Sequence, residues 1–178
     1  LLKWFSKHRD PVVVFDVGAN IGDWTCSILK QSAAFKMQRR LDLHAFEPMP
    51  STFRTLQKRI GKKALRLRVH LVPQSLSDEE GVAEMFVIGD NAGTNALHAD
   101  PMTKAACVVQ VSKTTADEYC SRNNIGLVHY LMSDTEGDDM QVVRGARKLF
   151  EHERVMVCQF EYNHRWVYSR HYLKDAFD

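Results

Sequence analysis

No apolar run in this sequence approaches the length that would span a bilayer, so no membrane-spanning helix is expected. Nor is there an excess of either charge. The 24 Lys and Arg residues stand against 22 Asp and Glu, a net charge of +2. That balance offers no electrostatic footprint for nucleic acid or for an anionic lipid surface. No basic stripe with interleaved aromatics occurs, no N-P-P-Y motif and no Pro-Cys pair, which argues further against a nucleic-acid methylase. The four cysteines, Cys26, Cys107, Cys120 and Cys158, contain no C-x-x-C pair. A zinc knuckle or thioredoxin-like motif is therefore not expected, and reduced thiols in a cytoplasmic protein are. The eight histidines are scattered, and no metal-ligand set is readable among them. Internal repeats, low-complexity tracts and linkers are absent, so residues 1–178 read as one domain. There is no initiator Met, and Leu1-Leu2-Lys3-Trp4-Phe5 is too short for a signal-peptide core. The chain thus reads as an excerpt of a longer one.

What is present is ordinary globular composition, 44% hydrophobic and 26% charged. One stretch organises the rest. Residues 12–15 (VVVF) are wholly apolar, as expected for a strand buried on both faces of a parallel sheet. Asp16 ends the run, Gly18 and Gly22 follow, and apolar Trp24, Ile28 and Leu29 then share a helix face. Strand, glycine turn and helix in this order aim backbone N–H groups and a helix N-terminus at one spot, a setting for an anionic ligand group. Gly18 is expected to admit a ligand close to the backbone, and Gly22 to allow close helix–strand packing. Asn20 occupies the position that a dinucleotide pyrophosphate needs bare, which disfavours a nicotinamide-dependent oxidoreductase and leaves room for a smaller nucleoside.

Downstream, residues 41–48 form a second strand ending on Glu47 and Pro48. An acid at that place can accept hydrogen bonds from ribose hydroxyls. Ser51 reads as a helix N-cap, with Phe53, Leu56 and Ile60 on one face and Gly61 closing the helix. A third strand over 65–72 runs into Gln74, Ser75 and Leu76, which would edge an adenine ring. Residues 82–112 read as an inserted β-hairpin with a long irregular tip. A helix over 115–122, a strand over 127–132, a helix over 138–150, a strand over 155–161 and a helical tail over 162–178 complete the order. The architecture is α/β, a doubly wound, mostly parallel sheet. Asp134 ends the fourth strand beside the first. It can position the cofactor or take the proton of an attacking hydroxyl, while Glu161 and His164 reach the same rim as further candidate catalytic groups. Glu136, Asp138 and Asp139 read as acids stabilising a helix's first turn.

Asp16-Val17-Gly18-Ala19-Asn20-Ile21-Gly22-Asp23, then Phe46-Glu47-Pro48, then Ser75-Leu76-Ser77-Asp78 resemble the FkbM-type S-adenosylmethionine-dependent methyltransferases. Asp134-Thr135-Glu136-Gly137 and Val142-Val143-Arg144-Gly145-Ala146 resemble that family's second block. The resemblance implies a Rossmann-like class I fold, S-adenosyl-L-methionine as cofactor, and O-methylation of a hydroxylated small molecule or glycan. It implies cofactor contacts from Asp16, Gly18, Asn20, Gly22, Glu47, Pro48, Gln74, Ser75, Leu76 and Asp134. The fold normally ends in two further strands beyond the last one read here. The chain departs from the family's pattern at Met132 and His129, where a Lys and an Asp are usual, so an inactive cofactor-binding module stands as the alternative.

Overall fold

The computed structural model describes residues 2–7, 11–64, 67–88, 95–98 and 106–177, with backbone only at 63 and 64. A one-turn helix α1 (Leu2–Phe5) precedes β1 (Val12–Val17), α2 (Asp23–Ala34), β2 (Leu41–Phe46), α3 (Pro50–Ala64) and β3 (Arg68–Val72). Then come β4 (Ser75–Leu76), β5 (Gly81–Val87), β6 (Cys107–Thr114), α4 (Ala116–Arg122) and β7 (Tyr130–Ser133). Two short helices, α5 (Asp139–Arg144) and α6 (Arg147–Glu151), lead to β8 (Cys158–Phe160).

The main sheet has the order β3-β2-β1-β7-β8, parallel throughout. The chain reverses its direction of spread between β1 and β7, so the carboxyl ends of these two strands open a crevice. One face of the sheet packs on α2 and α3 through Val12, Val14, Leu43, Ile28, Leu56 and Ile60. The other packs on α4 to α6 through Phe15, Phe46, Leu131, Cys120, Val142 and Leu149. Burial on both faces is why β1 is almost wholly apolar, while β2, equally buried, carries Asp42 and His44 among its apolar residues. The expected hairpin is present: β5 and β6 pair antiparallel, and β4 adds to β6 in parallel, giving a second sheet of order β4-β6-β5. Of its expected irregular tip, 89–94 and 99–103 lie outside the described residues.

Several local expectations differ. Helix α3 starts at Pro50 and runs through Gly61 to Ala64. Proline suits a first turn, whose N–H would lack an intrahelical partner, so Ser51 lies one residue inside the helix rather than capping it. Gly61 meets nothing within 4 Å of its missing Cβ and is tolerated on an open side. The helix expected over 138–150 is two helices, broken at Gly145 and Ala146. The tail holds two single turns of 3-10 helix, His164–Val167 and Leu173–Ala176, instead of an α-helix. Among the described residues no helix is long and apolar enough to cross a membrane.

Candidate functional site

The turn after β1 is held from several sides. Asp16 is buried, and its carboxylate accepts a hydrogen bond from Thr25 Oγ1, tying the strand to the first turn of α2. Gly18, Asn20 and Gly22 all have positive φ, at 83°, 48° and 87°. A Cβ on Gly18 would lie 2.0 Å from the Asp134 carbonyl oxygen, so the end of β7 occupies that space. A Cβ on Gly22 would lie 2.7 Å from Leu56 Cδ1. The packing that Gly22 permits is therefore against α3 rather than against a strand, which corrects the expectation. The turn also spends most of its donors internally. The N–H groups of Gly18 and Ala19 both donate to Phe46 O, at 3.1 and 2.9 Å, and Gly22 N donates to Ala19 O at 2.8 Å. An anionic group would therefore meet the first turn of α2 rather than the whole loop.

Glu47 sits just past β2, almost fully buried. Its Oε1 accepts from Met49 N at 2.8 Å and its Oε2 from Asn20 N at 2.9 Å. Burial pushes its pKa up to about 7 against these two bonds, with nearby Asp16 adding to the rise. Each oxygen retains a second lone pair for a hydroxyl donor.

Together these residues wall a cavity of about 170 Å3 whose lining includes Gly18, Asn20, Glu47, Pro48, Ser75 and Asp134. Thr52, Met85, Asn95, Leu97, Thr135, Glu136 and Asp138 complete most of it. Among the described residues, Asn20 Oδ1 and Thr52 Oγ1 are buried in this lining without a hydrogen-bond partner. Four of the expected cofactor residues lie outside the lining. Asp16 is buried beneath the turn, and Gly22 is pressed on α3. Gln74 Nε2 donates to Ser112 Oγ at 3.0 Å, and Leu76 is wholly buried in the core under α4.

At the rim, Asp134, Glu136 and Glu161 bring one carboxylate oxygen each within 4.8 Å of one another. Partial burial raises the pKa of Asp134, and the adjoining Glu161 raises it further. Burial lifts Glu136 to about 7, opposed by the Arg165 guanidinium 3.3 Å away and reinforced by Glu161 and Asp134. These three acids are the groups that could hold a divalent cation at the rim. Glu136 has φ 58° and is followed by Gly137, where a Cβ would come within 2.9 Å of Arg165 Cβ. His164 is exposed, its ring edge-on to Tyr168 at 6.1 Å, and is not part of the lining. His129 Nδ1 accepts from Val13 N at 3.1 Å, which makes it a brace at the start of β7.

Asp138 and Asp139 do more than stabilise a helix end. Asp139 is buried and accepts from Ser133 Oγ at 2.6 Å and Thr135 N at 3.2 Å, fixing the turn after β7. Asp138 Oδ2 accepts from Leu97 N at 3.1 Å, and its Oδ1 lies 2.7 Å from His98 Nδ1. It thereby holds the 95–98 segment against the cavity. Met85, Asn95 and Leu97 carried no sequence signal, because each reaches the cavity from an element far from the glycine turn along the chain, and Thr52, close to Glu47 in sequence, looks like any polar residue in a helix's first turn. Asp138 carried one that pointed elsewhere.

Residues 16–176 match the family description of the Methyltransferase FkbM domain. The chain belongs to the FkbM methyltransferase family. Its fold is shared with the crystal structure of methyltransferase FkbM from Methylobacillus flagellatus KT, with a TM-score of 0.53 and 15% sequence identity over 82% of this chain. The present chain spans 32% of the length of that FkbM protein. No curated protein matches it. The shared fold accounts for the crevice at the switch between β1 and β7, where the FkbM-like blocks of the sequence converge.

Proposed function

We propose that this chain binds S-adenosylmethionine in the cavity beside the glycine turn and directs its methyl group to a hydroxyl oxygen on a sugar, glycan or other hydroxylated small molecule. The observation that carries the reading is the buried Glu47 carboxylate lining a cavity beside two partnerless polar oxygens. Polar atoms buried without partners are costly, and a ribose with its two hydroxyls supplies what they lack. The enclosed volume is below the roughly 300 Å3 of most small-molecule sites, so it takes part of a nucleoside and the mouth takes the rest.

Bound S-adenosylmethionine supplies an electrophilic methyl on a sulfonium. The chain's own residues do the remainder. Glu47 accepts from the ribose, and the first turn of α2 favours the carboxylate of the amino-acid tail. Asp134 at the rim, with its raised pKa, receives the proton of the acceptor hydroxyl, and Glu161 beside it keeps that pKa high. The main gain in rate comes from holding the acceptor oxygen in line with the methyl.

Calorimetric titration tests the binding half. Wild-type chain binds S-adenosylmethionine and not NADH. Glu47→Ala weakens binding by about 1.5–3 kcal/mol for each charge-assisted hydrogen bond removed. Unchanged affinity in that variant removes Glu47 from the site, and tight NADH binding with none for S-adenosylmethionine overturns the proposal.

A further inference from the structure

A second polar cluster lies on β2, upstream of Glu47, and plays no part in the cavity. Asp42 and His44 share the face of β2 that packs under α4, and both are buried. The parallel register sets Asp42 opposite Arg68 and His44 opposite His70 on the edge strand β3. Asp42 Oδ2 accepts from the Arg68 guanidinium at 2.5 Å. Asp42 Oδ1 accepts from His70 Nε2 at 2.8 Å and stands 3.5 Å from His44 Nε2. The other ring nitrogen of His44, Nδ1, lies 2.8 Å from the Tyr119 hydroxyl. The side chain of His44 is only 5% exposed, yet its Nε2 makes no hydrogen bond of ordinary length. Arg68 answers the charge of the buried carboxylate, whereas the second nitrogen of the buried imidazole meets Asp42 Oδ1 only at 3.5 Å.

We propose that Asp42, His44 and His70 form a site for a divalent transition cation of the zinc type, separate from the cofactor cavity. Two imidazole nitrogens and one carboxylate oxygen are the donor set that zinc and its neighbours prefer, whereas magnesium and calcium call for oxygen alone. The spacing is close to what such an ion needs. Bond lengths of about 2.0–2.1 Å in a tetrahedron put neighbouring ligand atoms about 3.3 Å apart. Asp42 Oδ1 is 3.5 and 2.8 Å from the two nitrogens, and all three atoms lie within 4.8 Å of one another. The imidazole rings are stacked, with centroids 4.3 Å apart and planes 12° apart, so one ring must tilt for both lone pairs to converge. His70 is free to do so, being half-exposed on an edge strand. Its proton then moves to Nδ1, on the solvent side.

The outer contacts are those of a metal centre. With an ion on Nε2, His44 would carry its proton on Nδ1 and donate it to Tyr119 Oη 2.8 Å away, which fixes the ring, and Arg68 holds the oxygen of Asp42 that the ion does not use. Water completes the fourth position from the open side of His70. The ligands sit on two hydrogen-bonded strands, so the site is held by the sheet rather than by a loop. His44 is three residues before Glu47, about 10 Å along the strand, and none of the three ligands lines the cofactor cavity. An ion here would staple the edge strand β3 to β2.

The test uses the untagged chain, demetallated and titrated with Zn2+ in the presence of excess Mg2+, and separately loaded with Co2+. Wild type takes up one Zn2+ with Mg2+ unable to compete, and the Co2+ form shows the intense visible absorption of a tetrahedral site. His70→Ala, an exposed change that leaves the far-UV spectrum and metal-free melting intact, lowers Zn2+ affinity by at least about 100-fold, since even an outer partner is worth about 10–100-fold. Tyr119→Phe lowers it by about 10–100-fold. Failure of the wild type to bind, or equal binding by His70→Ala, overturns the proposal. So does loss of the ion on Glu161→Gln with His70→Ala unaffected, which would place it on the rim acids instead.

Discussion

Asp16 shows how a single buried carboxyl can shape the stability of this fold. Burial raises its pKa from 3.8 to about 7, against the hydrogen bond from Thr25 and with a further rise from Asp134. A carboxyl whose folded pKa exceeds its unfolded one binds more protons in the folded state, so its contribution to stability falls as pH rises between those values. The cofactor-free chain should therefore lose thermal stability from about pH 4 to about pH 7 through this group, by up to roughly 4 kcal/mol. Asp16→Asn, which retains an acceptor for Thr25, should remove that part of the slope in melting curves taken across the window. Asp134 stands at the opposite end of the same scale, at the rim and open to solvent. Asp134→Asn should lower methyl transfer to a panel of hydroxylated sugars by about 10²–10⁴-fold, with melting temperature and cofactor affinity little changed. Wild-type turnover would remove Asp134 from the chemistry. Glu47 was a legible candidate because it ends an apolar strand before Pro48 and stands one crossover after the glycine turn, a cue of spacing as well as of neighbours. Thr52 and Asn95 were not, since nothing local distinguishes a cavity oxygen from a solvated one.

Elements were legible where one periodicity governed them, and less so where a contact from elsewhere cut them short. Strands β1 and β2 and helix α2 follow their apolar patterns. Residues 138–150 carry an unbroken helical spacing, Met140, Val143, Ala146, Leu149 and Phe150, yet the helix breaks. The cause lies outside the segment. A Cβ at Gly145 would lie 1.9 Å from the Ser77 carbonyl oxygen, and the Gly145 carbonyl accepts from Asp117 N at 2.9 Å. The end of β4 and the start of α4 thus pin the chain at that residue. Gly145→Ala should destabilise the protein by about 1–3 kcal/mol, because the displaced atom is backbone and cannot swing away. Urea denaturation measures this, and an unchanged midpoint would show that the segment relaxes at no cost.

The whole molecule works through the meeting of two sheets. The main sheet supplies Gly18, Glu47 and Asp134 from three strand ends, and the smaller sheet supplies Ser75 and Met85 from its own strands. Asp138 joins them by holding Leu97 and His98. The hydrogen bond and charge of Asp138 raise the His98 pKa above 6.5 against partial burial, so the pair contributes fully below that value and fades as pH rises through the raised one. His98→Ala should weaken cofactor binding by about tenfold while the unfolding midpoint moves little, and hydrogen exchange should quicken at Leu97. An affinity equal to wild type would mean that this side chain does not help shape the cavity. The strand–turn–helix order was determined by the sequence itself, because it depends on neighbours within a few residues, and the parallel sheet and the acid after the second strand followed from the spacing at which such units succeed one another. The cavity lining, the break at Gly145 and the pairing of His44 with His70 were decided only by the tertiary structure. They join residues that the chain holds far apart, and no local pattern encodes the distance between two segments until the core has brought them together.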